Sequence, residues 1–298
     1  MVDDAGLGGV DTLRLVWPSW QAAGTESVEA FAPEFSLEEA RRGYEVGTRV
    51  LEAILPPHPG STARIDVPMG DDGLALRDGV EAKDAIVAQQ AQAQRVIAGQ
   101  RWSRIVTLGG DCSASIAPFT ALAERYGDEL AVVWIDSHPD VGTPDSEYKG
   151  FHAMAVSAIT GHGVPEVLDV LPATVPAERV ALTGLHSWTD DDFPNASAWG
   201  VSAFSPEALR ETTEPLLAWL RGTGCSKVAI HLDVDVIDSD EVVLGLGIEP
   251  GGLRIADVRR IVSDVAGAAD VVGLTVAEYI PRQVMHARAL LAGFPLLS

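Results

Sequence analysis

LAVVWIDSHPD, residues Leu130 to Asp140, decides the reading of this chain. The apolar run Leu130 to Ile135 passes directly into Asp136-Ser137-His138-Pro139-Asp140. A short Val- and Ile-rich run without alternation predicts a strand buried on both faces. A carboxylate, an imidazole and a second carboxylate then fall at alternate positions past its end, where open α/β sheets place their chemistry. Oxygen and nitrogen donors packed this closely are costly to bury unless a cation neutralises them. The stretch predicts half of a metal site.

Working outward, strands alternate with helices about eight times, the pattern of a parallel sheet covered on both faces. Upstream, Leu13 to Trp17, Ala63 to Val67 and Arg104 to Leu108 read as strands. Downstream, so do Arg179 to Thr183, Val201 to Phe204, Val228 to Leu232 and Val271 to Val276. Between them, Ser36 with Glu39 three residues on forms a capping box that opens a helix stopped at Pro56-Pro57. Lys83 to Gly99, Ala114 to Tyr126, Ala153 to Thr160, Pro206 to Leu220 and Ile255 to Val265 are the further predicted helices, with another after Pro281. No internal repeat or Pro/Ser-rich linker interrupts the series, so one domain over residues 1–298 is expected.

Composition narrows the partners. Against 21 Lys plus Arg stand 43 Asp plus Glu, a formal net charge of −22. That argues against nucleic acid and anionic membranes, which select basic patches. Two cysteines, Cys112 and Cys225, imply no disulfide framework. The first ten residues, MVDDAGLGGV, lack the basic and apolar regions of a signal peptide, and no apolar run approaches the ~18 residues of a membrane span. A cytoplasmic location is the expectation.

Four predicted strands end in polar groups: Asp111-Cys112, Asp136-x-His138-x-Asp140, Asp233-x-Asp235 and Glu278. In a parallel sheet these ends share one edge. Two alternating carboxylate pairs suffice to bridge two divalent cations and activate a water between them. One strand-end Asp is more often a helix cap or a turn residue, but five Asp/His positions at alternate spacing exceed that explanation. His162, His186 and His231 have no partner by spacing and read as structural, His231 as an outer support for a ligand two residues on. The Gly-rich GLGIEPGG segment (245–252) does not follow the first strand in a Gly-x-Gly-x-x-Gly pattern, which argues against a dinucleotide site.

Gly-Gly-Asp-x-Ser at 109–113, Asp-x-His-x-Asp at 136–140 and Asp-x-Asp at 233–235, in this order at strand ends, resemble the ureohydrolases, the arginase and agmatinase family. The resemblance implies a three-layer α/β/α sandwich around a parallel sheet of about eight strands. It also implies a binuclear manganese centre whose bridging hydroxide attacks a guanidinium carbon and releases urea, in an oligomer, commonly a trimer or hexamer. By the same resemblance Asp136 and Asp233 bridge both metals, while His138 and Asp235 bind one. Asp140 binds the other and holds the hydroxide, His152 shuttles protons, and Glu278 pairs with the guanidinium.

The departures from the family are specific. Cys112 stands where the family has a histidine ligand, and a thiolate suits zinc, cobalt, iron or nickel better than manganese; a small buried thiol is the plainer reading. In the loop 141–150, VGTPDSEYKG, Gly142 replaces an Asn and Lys149 lies near a Ser that hold the substrate carboxylate in arginases. Gly184-Leu185-His186-Ser187-Trp188-Thr189 replaces the segment leading to an amino-group ligand, with Asp190 to Asp192 as its acidic sequel. Arginine therefore fits poorly, and Lys149, Trp188 and Asp190 are the candidate residues for a flatter or bulkier guanidine or amidine. A catalytically silent member with a binding or structural role is the rival from another class. An amide hydrolase on the same fold is weaker, because Glu278 has no cation to meet in such a substrate.

Overall fold

The computed structural model describes residues 11–24, Val28 and 35–297; the reading of the first ten residues, and of a loop around Pro33, lies outside them. The strands are β1 (Thr12–Trp17), β2 (Thr62–Arg64), β3 (Arg104–Gly109), β4 (Leu130–Ile135), β5 (Val180–Thr183), β6 (Ser202–Phe204), β7 (Lys227–Asp233) and β8 (Asp270–Ala277). They form one eight-stranded sheet in the order β2-β1-β3-β8-β7-β4-β5-β6. Every pairing is parallel.

The two-residue side-chain period divides the apolar residues between two layers. On β4, Leu130, Val132 and Trp134 join one core and Ala131, Val133 and Ile135 the other. The longer helices are α1 (Leu37–Ile54), α2 (Lys83–Ala98), α3 (Ile116–Tyr126), α4 (Glu214–Thr223), α5 (Ile255–Ala268) and α6 (Val284–Leu291). Ile86, Ile97, Phe119 and Leu122 bring α2 and α3 onto the first face. Leu216, Leu220, Ile261, Val265 and Leu290 bring α4, α5 and α6 onto the second. Helices cover both faces of the sheet, as the uninterrupted apolar strands require.

Local chemistry sets the helix ends. Ser36 and Glu39 form the reciprocal capping box at the start of α1. The helix predicted over Pro206 to Leu220 is instead broken into Pro206–Leu209 and α4. Pro215 explains the break: it lacks an N–H and clashes with the preceding turn mid-helix, but fits near a helix start, where it sits. The acidic residues Asp190 to Asp192 lead into a short helix, Phe193–Trp199. Among the described residues no helix is long and apolar enough to cross a membrane.

Candidate metal centre

The four polar strand ends belong to β3, β8, β7 and β4, which are consecutive in the sheet. Their carboxyl ends therefore open onto one site. After β3 the chain turns at Gly110, where a Cβ would lie 1.7 Å from the Ser19 carbonyl oxygen, so only glycine allows this approach. Asp111 then accepts from the Ser113 and Ala22 amides at 3.0 and 3.2 Å, tying the turn to the segment after β1. Cys112 follows, buried, its thiol donating to Asp233 Oδ2 at 3.2 Å and its amide to Glu278 Oε1 at 3.0 Å.

Among the described residues, three overlapping groups of donors could each hold a cation: Cys112, Asp136, His231 and Asp233; Cys112, His152 and Glu278; Asp136, His138 and Asp235. Within each group the ligand atoms lie within 4.8 Å of one another. His138 Nδ1 is 3.2 Å from Asp235 Oδ2, and Ser137 Oγ donates to Asp235 Oδ1 at 2.6 Å. Asp140, also buried, leaves Oδ2 without a partner. Asp140 and Glu278 have φ of 50° and 62°, a left-handed backbone that costs a non-glycine residue about 1–3 kcal/mol and recurs at functional sites.

Electrostatics make this arrangement one that asks for a cation. Burial, with the Asp235 charge beside it, pushes Asp136 up to about 6. Burial, then the neighbouring carboxylates, pushes Asp140 and Asp233 well above the usual carboxylate range. The Cys112 thiol rises for the same two reasons. Burial works against a charged His138, but Asp235 and Asp136 outweigh it and hold the imidazole well above its ordinary value. Burial likewise works against a charged Asp235, yet His138 and Ser137 hold it below the usual carboxylate range. Carboxylates so placed share protons or accept a divalent ion, and the donor types fit one.

Beside the cluster lies a cavity of about 300 Å³ whose walls include Tyr44, Tyr148, His152, Trp188, Asp192 and Glu278. His152 is held from both ring nitrogens, Nδ1 3.1 Å from Glu278 Oε1 and Nε2 2.6 Å from Tyr148 Oη. Burial disfavours its charge, but Tyr148, Glu278 and Asp140 more than compensate, so it holds a proton well above the usual histidine range. Trp188 stacks on Phe193 at the rim, ring centroids 4.6 Å apart.

Two predicted substrate residues stand apart from this pocket. Lys149 donates to the Pro144 carbonyl at 3.0 Å and to that of Ser146, so its ammonium is engaged by its own loop. Asp190 is exposed and does not line the cavity; Asp192, two residues on, is buried there with Oδ1 unpartnered. The short helix beginning at Phe193 turns Asp192 inward and leaves Asp190 outside. Sequence reasoning also missed Tyr44, Tyr148 and Glu249, which reach the site from loops and a helix without motif spacing.

A model described as the Arginase family matches residues 38–294. An arginase from Eremothecium gossypii is 30% identical over 190 residues, 61% of this chain and 47% of that protein. The chain spans about half the length of the curated relatives it matches. The solved Entamoeba histolytica arginase, in complex with L-ornithine, aligns at a TM-score of 0.73 and 16% identity, covering 94% of this chain and 95% of that one. The proclavaminate amidino hydrolase of Streptomyces clavuligerus aligns at 0.68 and 18%, covering 95% and 88%. At such identities the structural likeness speaks for the fold, which is the layered α/β arrangement described above.

Proposed function

This chain belongs to the arginase family, and we propose that it is a metal-dependent hydrolase of a guanidine or amidine C–N bond, releasing urea or a related product. The observation that carries this reading is the His152–Glu278 pair, 3.1 Å apart, facing a cavity floored by the buried carboxylate cluster. Asp136, His138, Asp140, Asp233 and Asp235, with Cys112, would hold two divalent cations. Such a pair, when bound, makes water nucleophilic at neutral pH. Manganese suits the oxygen and imidazole donors of Asp136, His138 and Asp235.

The chain's own groups supply the rest. Glu278 receives the planar cation of the substrate through a charge-assisted pair and turns its central carbon toward the cluster. Asp140 Oδ2, buried without a partner, accepts a hydrogen bond from the attacking water and later its proton. His152 keeps a proton above its ordinary range and delivers it to the departing nitrogen, so that water adds, the C–N bond breaks and a neutral amine leaves. Tyr148 fixes the ring for that transfer.

An amino-acid carboxylate finds no ready partner, since Gly142 offers no side chain and Lys149 is spent on loop carbonyls. Trp188, Tyr44 and Leu246 favour a flat or apolar tail, and Asp192 a second cationic or donor group. Arginine is accordingly not the proposed substrate. The test is release of urea, ammonia or amine from a broad guanidine and amidine panel, run with Mn, Zn, Co, Fe and Ni in turn. Product that vanishes in a folded Asp235→Ala variant supports the reading; no product with any ion sinks it. One observation favours a silent, ligand-binding member: the Cys112 thiol is already spent on Asp233. Elemental analysis finding no bound metal would select that alternative. A trimer or hexamer belongs to the main reading and is checked by light scattering.

A further inference from the structure

His231 lies on β7 two residues before Asp233, directly opposite Trp134 of β4. Its ring is fully buried and stacks on Trp134 at 3.6 Å with 10° between the planes. Nδ1 sits 2.7 Å from Ser115 Oγ. Nε2 has no partner at all, yet it faces Asp136 Oδ2 at 3.8 Å. A buried polar nitrogen without a partner is costly, and 3.8 Å is too long for a hydrogen bond. Two ligands about 2 Å from a shared ion stand about 3.3 Å apart at a tetrahedral angle, so a closure of about half an ångström would bring this pair to that geometry. Cys112 Sγ and Asp233 complete the set, all four donors lying within 4.8 Å of one another.

The geometry points to His231 Nε2 as a direct ligand that joins Cys112, Asp136 and Asp233 in a sulfur- and nitrogen-containing site for a thiophilic divalent cation such as zinc or cobalt. The reading rests on the two-cation centre above and changes its composition: one position hard and suited to manganese, the other soft. In the tautomer whose Nδ1–H donates to Ser115 Oγ, a bond the 2.7 Å contact allows, the Nε2 lone pair faces the ion. The Trp134 stack locks the ring, so little rotamer freedom is lost on binding. His58 and His186 also carry an unpartnered ring nitrogen; what sets His231 apart is that its own lies among Cys112, Asp136 and Asp233.

Cobalt(II) titration of the full chain tests this without any turnover. Wild-type protein should show a thiolate-to-cobalt charge-transfer band and the intense visible bands of four-coordinate cobalt. Cys112→Ser should lose the first. His231→Phe, which keeps the ring stack, should retain the charge-transfer band but bind cobalt at that position at least about 10-fold more weakly. An unchanged spectrum and affinity in His231→Phe overturns the assignment. If that variant does not fold, cadmium-113 NMR of histidine-15N protein carrying His152→Asn gives the answer. The sulfur-ligated cadmium resonance should be split by an imidazole nitrogen, and an unsplit line rejects the ligand. Guanidine hydrolysis without His231 ligation defeats this inference alone; ligation without hydrolysis defeats only the proposed activity.

Discussion

His152 shows what single residues contribute. It stands in a short 3-10 helix, Phe151–Met154, whose sequence offers no spacing cue, yet Glu278 and Tyr148 hold it from both ring nitrogens. If it delivers the proton to the leaving nitrogen, His152→Asn lowers kcat by about 100-fold or more with little change in KM. Tyr148→Phe, keeping the ring but losing the hydroxyl, gives a smaller fall and moves the pH dependence of kcat. Steady-state kinetics across pH separate the two roles. The carboxylates of Asp136, Asp140, Asp233 and Asp235 were legible because alternate spacing at strand ends is a one-dimensional signal. Asp192 and Tyr148 were not, since a helix start and a folded-back loop bring them in. His231 carried a clue, its place two residues before Asp233, but its partner Trp134 lies on another strand and could not be paired from sequence.

At the scale of elements, α1 docks so closely that a Cβ at Gly47 would stand 1.8 Å from the Tyr279 carbonyl oxygen. Gly47→Ala gains about 1 kcal/mol in helix propensity, but forcing a methyl against backbone costs about 1–3 kcal/mol or more. The urea midpoint should fall. Activity should fall with it, because the displaced backbone adjoins Glu278. Tyr279 makes a second case. Its buried hydroxyl has no partner, and burial pushes it up to about 12. Between pH 10 and 12 the unfolded chain has released this proton while the folded chain keeps it, so stability falls as pH rises through that window. Tyr279→Phe should flatten the alkaline slope, and remain as stable as wild type or more so at pH 7, read by chemical denaturation at each pH. Strand existence was legible from apolar runs, and the capping box at Ser36 from four residues. The break at Pro215 is a local signal too, since proline fits a helix start and not its interior.

For the whole molecule, sequence order says little about sheet order. β8, the last strand made, sits between β3 and β7, so no local segment completes the central sheet. Such order depends on long-range pairing and helix crossovers, which periodicity does not report. The same closure brings Glu278 beside Cys112 from 166 positions away. The carboxylate cluster then stands on a chain of net charge −22, where self-repulsion opposes compaction. Exhaustive chelation should therefore lower the thermal midpoint, and returning manganese or zinc should restore it. At a hundredfold excess over Kd the gain is about 2.7 kcal/mol. A midpoint indifferent to chelator and metal alike, in protein shown to carry metal beforehand, would mean that the ions do not support the fold.

The left-handed backbone at Asp140 and Glu278 has a consequence for how this chain can change under selection. Glycine would relieve both positions and also remove charge from a crowded cluster. A population screened only for surviving heat, in medium stripped of divalent metal, will drift toward Asp140→Gly and Glu278→Gly, and its survivors will be sturdy and inert. A population screened for turnover keeps both acids and must seek robustness elsewhere, in helix caps and loops far from the sheet edge.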